Sequence, residues 1–576
     1  MRLEDYWGVG PKTSDLLETE LGVERAIQAI ESSNVRVLSN AGLSRGRATR
    51  ILRQANGGEG MAVLATRDTR SVYKSLLDLA SDYAVTPDAG DRIRVMTPVR
   101  SPEEATDRLD SVMDAVTSWD DLSDAERESV LAAFEEYDGS ERTAVETALS
   151  LQATETTEGA FAPVAEIDQS ALDAAVGALG KLDGSRVAEG ADDELDRRRE
   201  QLTAVEQLES GALDVIEAVQ SGNVRNPDEF RESYVEYVAR ETDIEPQRIR
   251  DATVGEATDA TDFVGGSLRE LVAEQRETVE ERESTVAAEL EAKIEDARDA
   301  IDAAVSAVND LAVSLSLARF ADEFSLTRPE FVDEGFAVED ARNLFLATGN
   351  DVQPITYGIG EHGVAGPPKG DRVTVLTGAN SGGKTTLLET LCQVALLAQM
   401  GLPVPAERAQ VSMSDTIVFH RRHASFNAGV LESTLRNIVP PLTDDGRTLM
   451  LVDEFEAITE PGSAANLLHG LVGLSVDRGA LGVFVTHLAE DLNPLPDQAR
   501  KDGIFAEGLD DNLELLVDYQ PRFDTVGKST PEFIVSRLIA SANDRGERAG
   551  YDVLGRAVGE AAVQQTLSSW AEEQEK

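Results

Sequence analysis

Gly378, four intervening residues, then Gly383, Lys384 and Thr385 form a spacing with a definite chemical use. Glycines at those places let backbone N–H groups converge on the β- and γ-phosphates of a nucleotide. Lys384 would neutralise phosphate charge and the Thr385 hydroxyl would hold Mg²⁺. The candidate nucleotide contacts are therefore Gly378, Ala379, Asn380, Ser381, Gly382, Gly383, Lys384, Thr385 and Thr386. Further along, Leu449 to Val452 is an apolar run that ends in Asp453 and Glu454. Mg²⁺-dependent hydrolysis needs one carboxylate for the metal's water shell and a second to orient the attacking water. Asp453 is read as the metal residue beside Thr385, and Glu454 as the water-positioning base. A solvated acidic pair at a strand end is the bland alternative, but it leaves the glycine loop without its chemical partner. His487, one of five histidines, closes the apolar run Val483-Phe484-Val485-Thr486. Histidine there either caps a strand or senses the γ-phosphate through a hydrogen bond, and the company of the other two motifs favours the sensor. Glu454, Lys384 and His487 make up the expected catalytic set, acting on ATP with Mg²⁺.

These groups need strands that end where the loops begin. Val373, Thr374 and Val375 predict a strand before the glycine loop, and Leu387, Leu388, Leu391 and Val394 recur at helical spacing after it. Such a helix aims the positive end of its dipole at the phosphates. The expected fold class is therefore α/β in this part of the chain.

With 576 residues and 41% apolar content the chain can build three to five domains with real cores. Its 107 acidic residues against 53 basic ones give a net charge of -54, and only nine of the basic residues are lysine. The acids are spread throughout, which predicts a solvated acidic surface of the halophilic kind, its self-repulsion screened by salt. Cys392 is the sole cysteine, so no disulfide can form within the chain, and it is expected to be a core residue. There is no run of about 18 apolar residues and no signal-like apolar stretch at the start, so no membrane partner and a cytoplasmic, nucleoid-associated location are expected.

Residues 32 to 58 carry Arg36, Arg45, Arg47, Arg50 and Arg53 and no acid, a local basic surplus in an acidic chain. Tyr6-Trp7-Gly8-Val9-Gly10-Pro11-Lys12 and Leu38-Ser39-Asn40-Ala41-Gly42-Leu43-Ser44 resemble tandem helix-hairpin-helix units, with Ser44 in place of a second glycine. In such units, hairpin amides and a helix start grip DNA phosphates without reading bases. The candidate DNA contacts are Gly8, Gly10, Lys12, Gly42, Arg45 and Arg47. A small protein-interaction module is the alternative. Residues 61 to 100 read as strand, helix, strand: MAVLAT, SVYKSLLDLASDYA, RIRVMTPV. Phe134-Glu135-Glu136 superficially matches a mismatch-reading wedge but lies in an acidic helical run and is discounted.

From Ser267 to Phe320 the helical pattern is almost unbroken, with Ile294, Ile301, Val308 and Leu315 on one seam position and Leu290, Ala297, Ala304 and Leu311 on the other. As one helix it would extend roughly 80 Å at about 1.5 Å per residue. Leu195, Leu202, Val205, Leu208, Val215 and Ile216 can supply an antiparallel partner.

The loop TGANSGGKTT, the acidic segment VDEFEAITEPGSAANLL and the switch VFVTHLAED, with Ala424-Ser425-Phe426-Asn427-Ala428-Gly429 between them, resemble the ATPase of the MutS family over about residues 305 to 540. Ala379 stands where the family has proline, and Glu456 and Ile458 where it has small residues. The acidic segment is most similar to the family's second, non-mismatch-repair branch. The resemblance implies an ABC-type P-loop ATPase with ATP and Mg²⁺ as its ligands, preceded by a long helical or coiled-coil lever region and a small all-α helix-hairpin-helix domain. It implies a homodimer, because Ser425 to Gly429 would complete the partner's nucleotide site. Expected boundaries are 1–57 for the hairpin module, 58–105 for a small α/β segment, 106–345 for helical core and levers, 346–548 for the ATPase and 549–576 for a tail. The implied function is ATP-driven, largely sequence-independent or structure-biased DNA binding in repair or recombination, with no nuclease domain in view. The alternative is a chromosome-organising or scaffolding ATPase whose hairpin module binds protein.

Overall fold

The computed structural model describes residues 3–574 except 7, 32, 59, 155, 184–185, 222–224, 348–351, 379–382, 423–427, 455–460, 510–514, 528–530 and 543. Two compact units are present, one of residues 1–131, 158–160 and 309–576, the other of 132–157 and 161–308. The first unit is built on a six-stranded sheet in the order 515–522, 499–509, 373–378, 481–485, 448–453, 416–420. All neighbours run parallel except the 515–522 edge strand. Strands 373–378, 448–453 and 481–485 are buried at every residue, so they read as continuous apolar runs because both faces are covered. Val485 lies opposite both Leu376 and Asp453, which brings the carboxyl ends of the three strands together. In an open parallel sheet that end is where ligands sit. A second sheet of four strands, 330–331, 408–411, 336–341 and 355–359 in that order, packs into the same apolar core.

Helix Lys384–Gln399 starts at Gly383 and is buried along nearly its whole length. Cys392 lies fully buried within it, and burial pushes its thiol well above the ordinary range, as suits a core residue.

Residues 11–57 form four helices, Pro11–Leu21, Val23–Glu31, Val35–Asn40 and Arg45–Gly57, around their own core of Leu17, Ile30, Leu38 and Leu52. Gly8 and Gly42 turn the chain before the first and last of these with φ of 84° and 95°, in the region where only glycine is unstrained. The two turns pack reciprocally: a Cβ on Gly8 would stand 3.3 Å from Ile51, and one on Gly42 3.7 Å from Leu16.

The strand-helix-strand expectation for 61–100 needs correction. Residues 60–63 form a 3-10 turn, Leu64 makes a single parallel bridge to Ile417, and the first half of the second expected strand, 92–95, lies in the helix Pro87–Val95 while 96–99 join no sheet. Local capping outweighs the β-propensity of its isoleucine and valine: Pro87 occupies the first turn, and Thr86 accepts from the Ala89 amide at 3.1 Å. The segment also has a place in the fold. Thr69 Oγ1 accepts from the Phe419 amide at 2.9 Å and donates to Ile417 O at 3.2 Å, while Asp68 accepts from the Arg421 amide at 2.9 Å. Residues 64–69 thereby satisfy the open edge of strand 416–420, which would otherwise expose unpaired backbone groups.

The second unit is mainly helical, with one short antiparallel pair of strands, Leu182–Asp183 and Arg186–Val187. The expected single helix over 267–320 is two, Ala260–Asp296 and Arg298–Glu323, joined at Ala297 (φ -98°, ψ 6°) without glycine or proline at the joint. All eight seam residues are buried. Helix Asp193–Ser210 runs antiparallel to 260–296, tied by Arg282–Asp192 at 2.6 Å, Arg199–Glu283 at 2.9 Å and Arg276–Glu206 at 2.8 Å. The expected 106–345 block is not one body, since 309–345 belongs to the sheet-bearing unit. Phe134 is only 2% exposed, which leaves it no face for a base. Among the described residues helix 298–323 is long and apolar enough to cross a membrane by length and mean composition, although Asp302, Asp310 and Arg319 keep it from being an unbroken apolar run. Its apolar seam, from Ile301 through Leu315, is buried in protein instead.

Candidate nucleotide-binding site

At the carboxyl end of the sheet lies a cavity of about 700 Å³, lined among others by Lys384, Thr385, Arg422, Asp453, Glu454 and Tyr519. Its floor depends on glycine. Gly378 has φ 137°, and a Cβ there would stand 2.3 Å from the Ile504 carbonyl oxygen, so the strand can leave the sheet only without a side chain. Gly383 has φ 71°, and its Cβ would meet the Tyr519 ring at 2.8 Å. Lys384 is 4% exposed, and its Nζ donates to the Gly378 carbonyl at 2.8 Å, bridging the two ends of the loop.

Thr385 Oγ1 donates to Asp453 Oδ2 at 2.6 Å. Asp453 Oδ1 is buried and has no hydrogen-bond partner among the described residues. A buried orphan oxygen beside a hydroxyl is costly unless something positive arrives, and it fits a hard divalent cation. Burial raises the Asp453 carboxyl above its ordinary range, against the Thr385 hydrogen bond, and the neighbouring Glu454 charge raises it further.

Glu454 adopts φ 41°, rare for a residue with a side chain, and its amide donates to Val485 O at 3.0 Å. Its carboxylate accepts from His487 Nε2 at 3.0 Å on one oxygen and from Arg422 Nη1 at 2.5 Å on the other. The hydrogen bond from His487 is the main reason that the Glu454 carboxyl sits below its ordinary range; burial opposes it, and the charges of Arg422 and Lys384 assist. A depressed acid contributes stability above its ordinary value, which is lost as pH falls through the lowered one. In His487→Ala the lowering contact is gone and burial remains, so the acid limb of kcat is expected to move to higher pH. An unmoved limb would count against Glu454 as the ionising group.

The structure thus brings Lys384, Thr385, Asp453, Glu454 and His487 together, with Gly378, Gly383 and Thr386 beside them. Ala379, Asn380, Ser381, Gly382 and Ser425 lie outside the described residues, as do Glu456 and Ile458, and Gly429 falls in helix Ala428–Thr443. Several residues that line the site were missed in the sequence, Arg422, Tyr519 and Asn343 among them. Arg422 follows the end of strand 416–420, Tyr519 comes from the edge strand, and Asn343 accepts from Gln393 Nε2 at 3.2 Å and so ties residues 341–344 to the loop helix. The signal for Arg422 was a cation just past an apolar strand; for the other two the local sequence carried none.

Far from this cavity in sequence, Gly8, Gly10, Lys12, Gly42, Arg45 and Arg47 are all exposed on the two reciprocal turns. The helices that start at Pro11 and Arg45 have no side-chain cap bond and no acid in the first turn. Arg45 is engaged with Asp91, and Arg47 bonds the Thr13 hydroxyl, so Lys12 is the less committed cation.

Residues 374–460 match a family model described as MutS domain V. The chain is 45% identical over 221 residues to "DNA-binding protein MutS2" of Pyrococcus furiosus, a match that covers 38% of each chain. It is 32% identical over 235 residues to "Endonuclease MutS2" of Solidesulfovibrio magneticus, covering 39% of this chain and 28% of that protein. Against "Endonuclease MutS2" of Thermomicrobium roseum it is 31% identical over 215 residues, 34% of this chain and 26% of the relative. The chain therefore spans less than two-fifths of the length of these relatives.

Proposed function

From the premise that its nucleotide-binding part belongs to the MutS family, in the second-type branch, we propose that this chain hydrolyses ATP and uses the cycle to control its hold on DNA. The observation that carries the reading is the convergence of Lys384, the Thr385–Asp453 pair and the His487-held Glu454 on one cavity. Lys384, already aimed across the glycine loop, meets the β- and γ-phosphates. Thr385 and the free oxygen of Asp453 would hold Mg²⁺, which supplies charge neutralisation on the phosphate oxygens. Glu454, its carboxyl held below the ordinary range chiefly by the His487 hydrogen bond, orients the attacking water, and His487 keeps its carboxylate in place. The Tyr519 ring, at the end of the loop, offers a stacking face for the adenine.

Lys384→Ala removes a charge-assisted contact worth about 1.5–3 kcal/mol, so nucleotide affinity is expected to fall by about 10- to 150-fold. Equilibrium binding of ATP by calorimetry checks it, and an unchanged Kd sinks the site assignment.

The two exposed turns of residues 6–12 and 40–47 serve, on this reading, as helix-hairpin-helix phosphate grips, and Ser425 to Gly429 completes the nucleotide site of a second copy. Support comes from the reciprocal packing of Gly8 and Gly42 and from the uncapped helix starts. Binding is then largely sequence-independent, as suits repair or recombination. The acidic surface is read as an adaptation to salt, so tests belong in molar KCl. Because Arg45 is engaged with Asp91, the cleaner variant is Lys12→Ala with Arg47→Ala. It is expected to reduce the slope of log affinity against log salt by about 2 while DNA-free ATPase stays unchanged. If duplex, branched and mismatched DNA all fail to bind the unaltered protein, a scaffolding role for the turns takes over.

A further inference from the structure

Arg422 has no part in the reading above, yet it touches the Glu454 carboxylate at the cavity. Its Nη1 stands 2.5 Å from Glu454 Oε2. The main chain there is fixed from the other side. The Arg421 amide is held by Asp68 at 2.9 Å, and the Arg421 guanidinium bonds Glu389 and lies 5.3 Å from the Phe419 ring centre. The Arg422 side chain itself is 55% exposed over the cavity, whereas that of Glu454 is 10% exposed. A fixed backbone with an exposed guanidinium at its end makes a short arm that can change partner without rebuilding the strand.

In this structure both Glu454 oxygens accept from a nitrogen donor, one from His487 and one from Arg422. The Arg422 contact takes one of the carboxylate's acceptor sites, and the guanidinium charge weakens its pull on a water proton, so opening that contact favours turnover. A terminal phosphate offers the guanidinium more charge than one carboxylate does and can accept two parallel N–H donors. A diphosphate in the same cavity lacks that group. We propose that Arg422 exchanges Glu454 for the γ-phosphate when a triphosphate binds, which makes it the residue that distinguishes ATP from ADP and frees Glu454 for water. This deepens the ATPase reading and rests on it.

The test is calorimetric titration of the full chain with ADP and with the non-hydrolysable triphosphate adenylyl imidodiphosphate, both with Mg²⁺, for the unaltered protein, Arg422→Ala and Arg422→Lys. Arg422→Ala is expected to lose about 10- to 150-fold of triphosphate affinity, the worth of one charge-assisted contact, while ADP affinity stays within about twofold. Retained ADP binding also reports that the variant is folded. Arg422→Lys should recover only part of the loss, because an ammonium lacks the planar fork. Equal losses for both nucleotides, or none for either, overturn the exchange while leaving the ATPase reading intact. Failure of the unaltered protein to bind either nucleotide overturns both.

Discussion

Glu454→Ala is expected to bind ATP with near-native affinity and to hydrolyse it about 10²- to 10⁴-fold more slowly, the usual worth of a positioned general base. Among the described residues the carboxylate is hydrogen-bonded to His487 and Arg422, so its loss removes water orientation and leaves the Lys384–Gly378 bridge of the phosphate cradle in place. Glu454→Gln keeps an oxygen for the His487 contact and should show the same split with less disturbance. If ATP, held by both copies of the proposed dimer, closes it and hydrolysis releases it, either variant should accumulate as a closed dimer with ATP, visible by light scattering or gel filtration. Steady-state turnover at the native rate would remove Glu454 from its role, and a native rate in a strictly monomeric protein would remove the dimer as well.

Asp502→Ala is expected to cost the sheet-bearing unit about 3 kcal/mol, the low end for breaking a buried pair, because the buried Arg500 guanidinium loses its nearer carboxylate and keeps Asp371 at 3.6 Å. Asp502 is fully buried and Arg500 nearly so, and Arg500 Nε lies 3.1 Å from both Asp502 oxygens. Tyr357 donates to Asp502 Oδ2 at 2.8 Å, and Arg500 Nη2 donates to Gly358 O at 2.6 Å, so the pair cross-links the two sheets. The damage should reach the nucleotide. Thr377, one residue before Gly378, donates to the Asp502 carbonyl at 3.1 Å and accepts from the Gly527 amide at 2.6 Å. Urea unfolding of the full chain should show an earlier transition for this unit together with weaker ATP binding. A stability loss under about 1 kcal/mol would mean that the network is replaceable packing.

Gly378, Gly383, Lys384, Thr385, Asp453, Glu454 and His487 were legible along the chain because each lies at the end of its own apolar strand or at the start of the helix that follows. That relation is local: a fully buried parallel strand is a continuous hydrophobic run, and the polar residue that ends it marks where the strand leaves the core. The charge distribution was equally legible, since it is a sum over residues. Non-local contacts were not. Tyr519 meets Gly383 from the edge strand, Asn343 reaches the loop helix from a separate sheet, and Arg500 and Asp502 face Tyr357 across the core; in each case the partner is far away in sequence. Residues 87–95 were misread because a strand-like composition lost to a threonine cap with proline behind it, and the joint at Ala297 carries no breaker residue to announce it.

The amino-acid order by itself therefore determined which groups could bind a triphosphate and activate water, since those roles follow from side-chain chemistry at strand ends. Tertiary structure alone decided that Arg422 would lie against Glu454, that residues 64–69 would close the edge of strand 416–420, and that 309–345 would join the sheet-bearing unit instead of the levers. Such pairings are set by burial and by hydrogen bonds between distant segments, and the free energy that selects them exists only once the core has formed.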